Sequence, residues 1–209
     1  MRIDSLSASA DRMGRHLVKF DSGETMRLYR QTVEDFGLFP GKELSPDEMA
    51  ALTRSAGACS AKMRAVRIVS ATNVSCRDLE QRLVRKGEDP AQAKQAVEWM
   101  EDLHLLDDRQ TAAQIVSSCV SKGYGPARAK QTLYEKRIPR ELWDEVLEDY
   151  PDQTDKMIKF IRSRLQDPHD ERQKRRVVDA LVRRGHGFRQ IRHAMDLAGA
   201  ELEADMEVE

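Results

Sequence analysis

Apolar and polar residues alternate along Val18, Phe20, Met26 and Leu28, on either side of the turn-forming Asp21-Ser22-Gly23. A period of two is that of antiparallel strands with one buried face, so the pattern predicts a β-hairpin. A lone hairpin is marginal in water. Ile3 to Leu6 is therefore expected as a third strand and Gln31 to Phe36 as a helix packed on it. After a loop, Ser45 is placed to cap a helix, with Pro46 in its first turn and Asp47 and Glu48 near its positive end.

From Ser45 onward the spacing is helical. Asn73 or Ser75, Asp89-Pro90, Asp108, Gly125-Pro126, Pro139, Thr154 and Asp167-Pro168 are start signals, separated by helices of about ten to twenty residues. One phrase recurs as LVRKG at Leu83, LYEKR at Leu133 and LVRRG at Leu181. Superposed without a gap, at offsets of 50 and then 48 residues, the copies align Leu79, Ala129 and Val177; Leu83, Leu133 and Leu181; Ala93, Trp143 and Ile191; and Val97, Leu147 and Met195. Each pair of positions lies four apart, one apolar stripe per helix with a tight turn between. A further helix precedes each copy, at 47–70, 109–122 and 154–166.

The fold predicted is mainly α: a tandem, elongated and curved array of three three-helix units after a small N-terminal β-hairpin and helix. Its segments are 1–44, the three units 45–106, 107–151 and 152–199, and an acidic tail 200–209.

Composition fits helices with solvated faces, since 34% of the 209 residues are charged and only 5% aromatic. The net charge of −1 hides a block pattern: residues 54–86 carry eight basic and two acidic groups, 88–108 one and seven, 122–140 six and one, 141–155 none and seven, 156–193 twelve and four. Each middle helix is thus basic. Projection of the last one sets Arg172, Arg175, Arg176 and Arg183 opposite Val177 and Leu181. A single charged helix is ordinarily a solvated face, but repetition across units marks a binding surface. With few aromatics to stack bases, contact with DNA would be electrostatic, weak and salt-sensitive. Single-stranded DNA is the first expectation and double-stranded DNA the second. The acidic blocks suit a charged protein surface.

No run of eighteen apolar residues occurs and the first sixteen residues hold no apolar signal core, so a cytoplasmic chain without membrane contact is expected. Cys59, Cys76 and Cys119 lack CxxC spacing, which argues against a disulfide framework or a zinc site. GLFPGKE at Gly37 departs from a phosphate loop in glycine spacing and has Glu43 where a hydroxyl is needed, leaving a connecting loop. Asp107 and Asp108 could pair on a metal, but Asp108, one residue before a helix, reads as a cap. His186 and His193 make no local metal pair, and none of the histidines completes a triad. Trp99 and Trp143 fall on the apolar stripes. No catalytic, cofactor or metal site is expected.

Taken in order, SCRDLEQRLVRKG, VEWMEDLHLLDDRQTA, SKGYGPARAKQTLYEKRI and VVDALVRRGHGFRQI resemble the RecX family of RecA regulators. Longer members of that family carry a comparable N-terminal hairpin and helix followed by wording like GLFPGKELSPDE. Three residues depart from the family pattern: His104 and Arg137 where Gly is usual, and Thr111 where an aromatic is usual. The resemblance implies a non-enzymatic modulator, an inhibitor, that lies in the groove of the RecA–DNA filament and suppresses ATP hydrolysis, strand exchange and filament growth. A monomer is expected. The charge reading assigns filament or DNA contact to Arg77, Arg82, Arg85 and Lys86 in the first unit, Lys122, Arg128 and Lys130 in the second, and Arg172, Arg175, Arg176 and Arg183 in the third. The competing readings are a stand-alone DNA-binding protein of helix-turn-helix-like units and a helical-repeat adaptor whose charges only solubilise it.

Overall fold

The structure, a computed structural model, describes residues 1–9, 14–167 and 169–207, with side chains as far as residue 199. It is mainly helical with a small antiparallel sheet at the N-terminus, and it divides into two compact bodies, Met1–Leu106 and Asp107–Glu209.

In the first body, β1 (Ile3–Ala8), β2 (Arg15–Phe20) and β3 (Thr25–Tyr29) pair in that order, antiparallel throughout, with Val18 opposite both Leu6 and Met26. Ile3, Val18, Phe20 and Leu28 are buried against Val33 of α1 (Arg30–Asp35), Leu38 and Leu44 of the loop, and Leu52 of α2 (Pro46–Ala71). The loop holding GLFPGKE closes the outer edge of β1: the Gly41 N–H donates to the Ile3 carbonyl at 2.8 Å and the Ile3 N–H to the Lys42 carbonyl at 2.9 Å. Those bonds satisfy groups that an edge strand otherwise presents to other chains.

Helix α2 starts on a full capping box, in which the Ser45 hydroxyl accepts from the Glu48 N–H and the Glu48 carboxylate accepts from the Ser45 N–H. It serves two cores. Leu52 faces the sheet, whereas Ala61 and Ala65 pack with α3 (Cys76–Arg85) and α4 (Pro90–Asp102) around Leu79, Leu83, Val97 and Met100. Small residues on α2 let the backbone of α4 come close.

The second body holds α5 (Asp108–Ser121), α6 (Pro126–Glu135), a 3₁₀ turn at Arg140–Leu142, α7 (Trp143–Leu147), α8 (Thr154–Arg162), α9 (Glu171–Arg183) and α10 (Phe188–Glu207). Ala112, Val116, Leu133 and Ile138 form one core, and Met157, Ile161, Leu165, Val177, Leu181, Ile191 and Ala194 another.

Several boundaries differ from the sequence reading. Asp107, not Asp108, caps α5, accepting from the N–H groups of Arg109 at 2.8 Å and Gln110 at 3.0 Å. Asp170 caps α9, so the helix starts after the Asp167-Pro168 signal, with Pro168 itself outside the described residues. Pro139 is followed by a 3₁₀ turn and only five residues of α-helix, leaving Trp143 and Leu147 half-buried. In the acidic tail the backbone continues α10 to Glu207; its side chains, and residues 208–209, lie outside the described residues.

Candidate functional site

Helix α9 presents the sequence pattern directly. Val177 and Leu181 are buried, while Arg172, Arg175, Arg176 and Arg183 are exposed and make no ion pair among the described residues. The Asp170 carboxyl that starts this helix is held below its ordinary range by the N–H groups of Gln173 and then Arg172. Arg172 and Arg183 stand at opposite ends, roughly 16 Å apart along the axis.

Helix α3 treats its basic residues differently. The Arg82 guanidinium pairs at 2.9 Å with Asp78, whose side chain is only 7% exposed, and also reaches the Thr72 hydroxyl. Arg82 thereby closes a polar group against the core. Arg77, Arg85 and Lys86 face solvent, the Arg85 Nε–H donating weakly to the Gln81 carbonyl at 3.4 Å. In the second body, Lys122 and Lys130 are exposed, and Arg128 makes a long, half-exposed pair with Glu135 at 3.6 Å.

Within that body the turn after α5 and the turn after α9 meet backbone to backbone. The Gly125 N–H donates to the Arg184 carbonyl at 2.9 Å, and a Cβ on Gly125 would fall 2.2 Å from the Gly185 carbonyl oxygen. Only glycine fits such an approach. Arg184 donates to the Lys122 carbonyl at 3.3 Å and lies 4.3 Å from the Phe160 ring centroid, a cation–π contact. Lys122 and Arg128 are thus brought beside the Arg183-Arg184 end of α9, joining positions that the sequence left in separate units. His186 fills the same seam. Its ring is buried and its Nε2 lies 3.0 Å from the Gly123 carbonyl; since a carbonyl only accepts, Nε2 carries the hydrogen. Burial pushes the ring's pKa down, against a smaller upward pull from that hydrogen bond.

At the other end of α9, a groove of about 690 Å³ separates it from α10. Sequence reasoning missed the residues it adds, Phe188 and Arg192, as it missed Arg184 in the seam; LVRRG showed the doubled arginine, but its stacking partner Phe160 is distant in sequence. Asp107 is engaged as a cap, and among the described residues no group of three His, Cys, Asp or Glu could hold a metal ion. Nor does any described helix have the length and apolarity to cross a membrane.

Residues 107–147 match the family model described as RecX, second three-helix domain. The chain is 33% identical over 153 residues to Regulatory protein RecX of Halorhodospira halophila, covering 71% of this chain and 95% of that one. It is 27% identical to the Vibrio parahaemolyticus protein of the same name, covering 68% and 94%. Two solved structures share the fold: a regulatory protein RecX, with TM-score 0.64 and 19% identity over 93% of this chain and 98% of that one, and RecX from Lactobacillus salivarius, with TM-score 0.59 and 17% identity over 72% and 99%.

Proposed function

Because the chain belongs to the RecX family of regulatory proteins, we propose that it modulates the RecA recombinase, acting as an inhibitor that binds in the groove of the RecA–DNA filament. The observation that carries the reading is the exposed row Arg172, Arg175, Arg176 and Arg183 on α9, backed by buried Val177 and Leu181 and neutralised by no ion pair among the described residues. A helix whose guanidinium groups make no ion pair among the described residues, Arg176 exerting only a weak pull on the Asp170 carboxyl, offers contacts to phosphate or carboxylate surfaces at little internal cost. Arg77, Arg85, Lys86, Lys122 and Lys130 extend the contact set. Arg82, already paired with Asp78, and Arg128, paired with Glu135, contribute less. On this reading residues 45–106, 107–151 and 152–199 act as three repeats, each offering a few weak contacts that add through effective concentration. The chain works as a cytoplasmic monomer, and direct DNA contact is weak and salt-sensitive.

DNA-dependent ATP hydrolysis by the cognate RecA, titrated with this protein at two salt concentrations, tests the proposal. Inhibition at substoichiometric protein that weakens at high salt is expected. Reversal of all four α9 arginines to glutamate should raise the half-inhibiting concentration by about tenfold or more. Unchanged inhibition by that variant, with helicity intact, removes α9 from the site.

A further inference from the structure

Helix α10 packs chiefly against α8 and far less against α9. The α9–α10 groove is what that unequal packing leaves open. Its floor is aliphatic, made of Val178, Ile191 and Met195, and Phe188 at its lip is 72% exposed. Arg172, Arg175 and Arg192 line the rim, all exposed and without an ion pair among the described residues, while Glu171, the one carboxylate among the described residues of the rim, is held by Lys174 at 2.8 Å. An apolar trough in a positive frame, with a large aromatic left in water, has the composition of a protein docking site.

We infer that this groove receives an amphipathic helical segment of a partner protein, with aliphatic side chains at i, i+3, i+4 and i+7 set among aspartates and glutamates. Aliphatic side chains match the floor. Carboxylates meet the guanidinium groups of Arg172, Arg175 and Arg192 in the geometry that favours paired hydrogen bonds. Nucleic acid fits less well: its phosphates would satisfy the rim, but base edges are polar, the floor is apolar, and Phe188 is the sole aromatic among the described residues that line it. The volume is within the usual range for a formed binding cavity. Two of the arginines also belong to the contact set proposed above, but the test below contains no recombinase, so either reading can fail alone.

Fluorescence anisotropy of a labelled helical peptide of roughly sixteen residues, leucine on one face and glutamate on the other, is followed as the full chain is titrated. Saturable binding that weakens with salt is expected, and Phe188→Ala and Arg175→Glu should each raise Kd by about tenfold. A lysine-for-glutamate peptide should not bind. Phe188 is exposed, so its truncation leaves the fold standing, and circular dichroism of both variants verifies this. Equal binding by the lysine peptide overturns the inference, as does indifference to Phe188→Ala. So does displacement of the binding to a thymidine oligonucleotide, seen as Phe188→Ala weakening the oligonucleotide but not the peptide. A dimer detected by sedimentation and dissolved by Phe188→Ala, without peptide binding, would give the groove to a second copy and equally overturn it.

Discussion

The turn after α3 and the turn after α9 occupy the same place in the repeated phrase, and each is followed by a buried residue of opposite chemistry. In the first it is Glu88, whose carboxylate sits 2.6 Å from Arg64 and 3.0 Å from the Ser60 hydroxyl, both on α2. In the third it is His186, whose ring donates to the Gly123 carbonyl of a neighbouring turn. The equivalent residue of the second copy, Ile138, is buried in an aliphatic core. The hairpin geometry fixes that this position points inward. What stands opposite decides which side chain it carries: a cation calls for a carboxylate, an orphan carbonyl for a donor, an apolar wall for isoleucine.

That contrast can be broken most severely at the first turn. Arg64→Ala leaves the Glu88 carboxylate, 7% exposed on its side chain, with a lone hydroxyl, and should destabilise the first body by about 2 kcal/mol in urea unfolding; the figure is discounted because Arg64 is a third exposed. Glu88→Ile, which imports the second copy's solution, should cost less, since Arg64 still reaches water and the Lys86 carbonyl. If the two variants are equally destabilised, the pair is not what holds this turn.

A smaller effect is expected at the third turn, through pH. The His186 pKa is depressed in the fold, first by burial and also by Arg184, so the neutral ring is the stabilising form. Its contribution is complete above the ordinary histidine value of about 6.5 and is lost as pH falls through the lower folded value. Thermal melts between about pH 7.5 and 5 should therefore show stability declining toward acid. His186→Gln should flatten that decline. The Asp152 and Asp170 carboxyls, held below their ordinary range, act only at lower pH, where stability falls with their protonation.

The smallest change concerns two helix ends that carry a side chain on left-handed backbone. His104, after α4, and Arg137, at the place in the repeated phrase where Gly87 and Gly185 stand, have φ of 54° and 57°, in the left-handed region. A Cβ is strained there by about 1–2 kcal/mol, part of which glycine gives back as chain entropy. His104→Gly, at an exposed side chain, should therefore stabilise by about 0.5–1 kcal/mol in denaturant unfolding. A loss instead would mean that the imidazole has work to do at this turn.

What could be read from the letters was local. Period-two alternation gave the strands, Ser45 with Glu48 gave the cap of α2, and the four-residue spacing gave Leu79, Leu83, Val177 and Leu181 as core. Asp107 and Asp108 are both chemically able to cap, so one-residue precision needed the backbone. The Asp78–Arg82 pair has the four-residue spacing of one helix face, but a count of basic residues does not separate a paired arginine from an exposed one. Arg64 with Glu88, Arg184 with Phe160, and the groove between Phe188 and Arg172 unite residues far apart in sequence, and no periodicity encodes them.

The glycine contact between the turns at Gly125 and Gly185 ties helices α5 and α6 to helices α9 and α10 through their main chains. A fragment severed at Pro151 would lose the acceptor of the Gly125 N–H and the donors to the Lys122 and Gly123 carbonyls, baring a seam shaped for another main chain. Helices α5 to α10 therefore share this joint within one compact body, and grafting or trimming them must cut elsewhere.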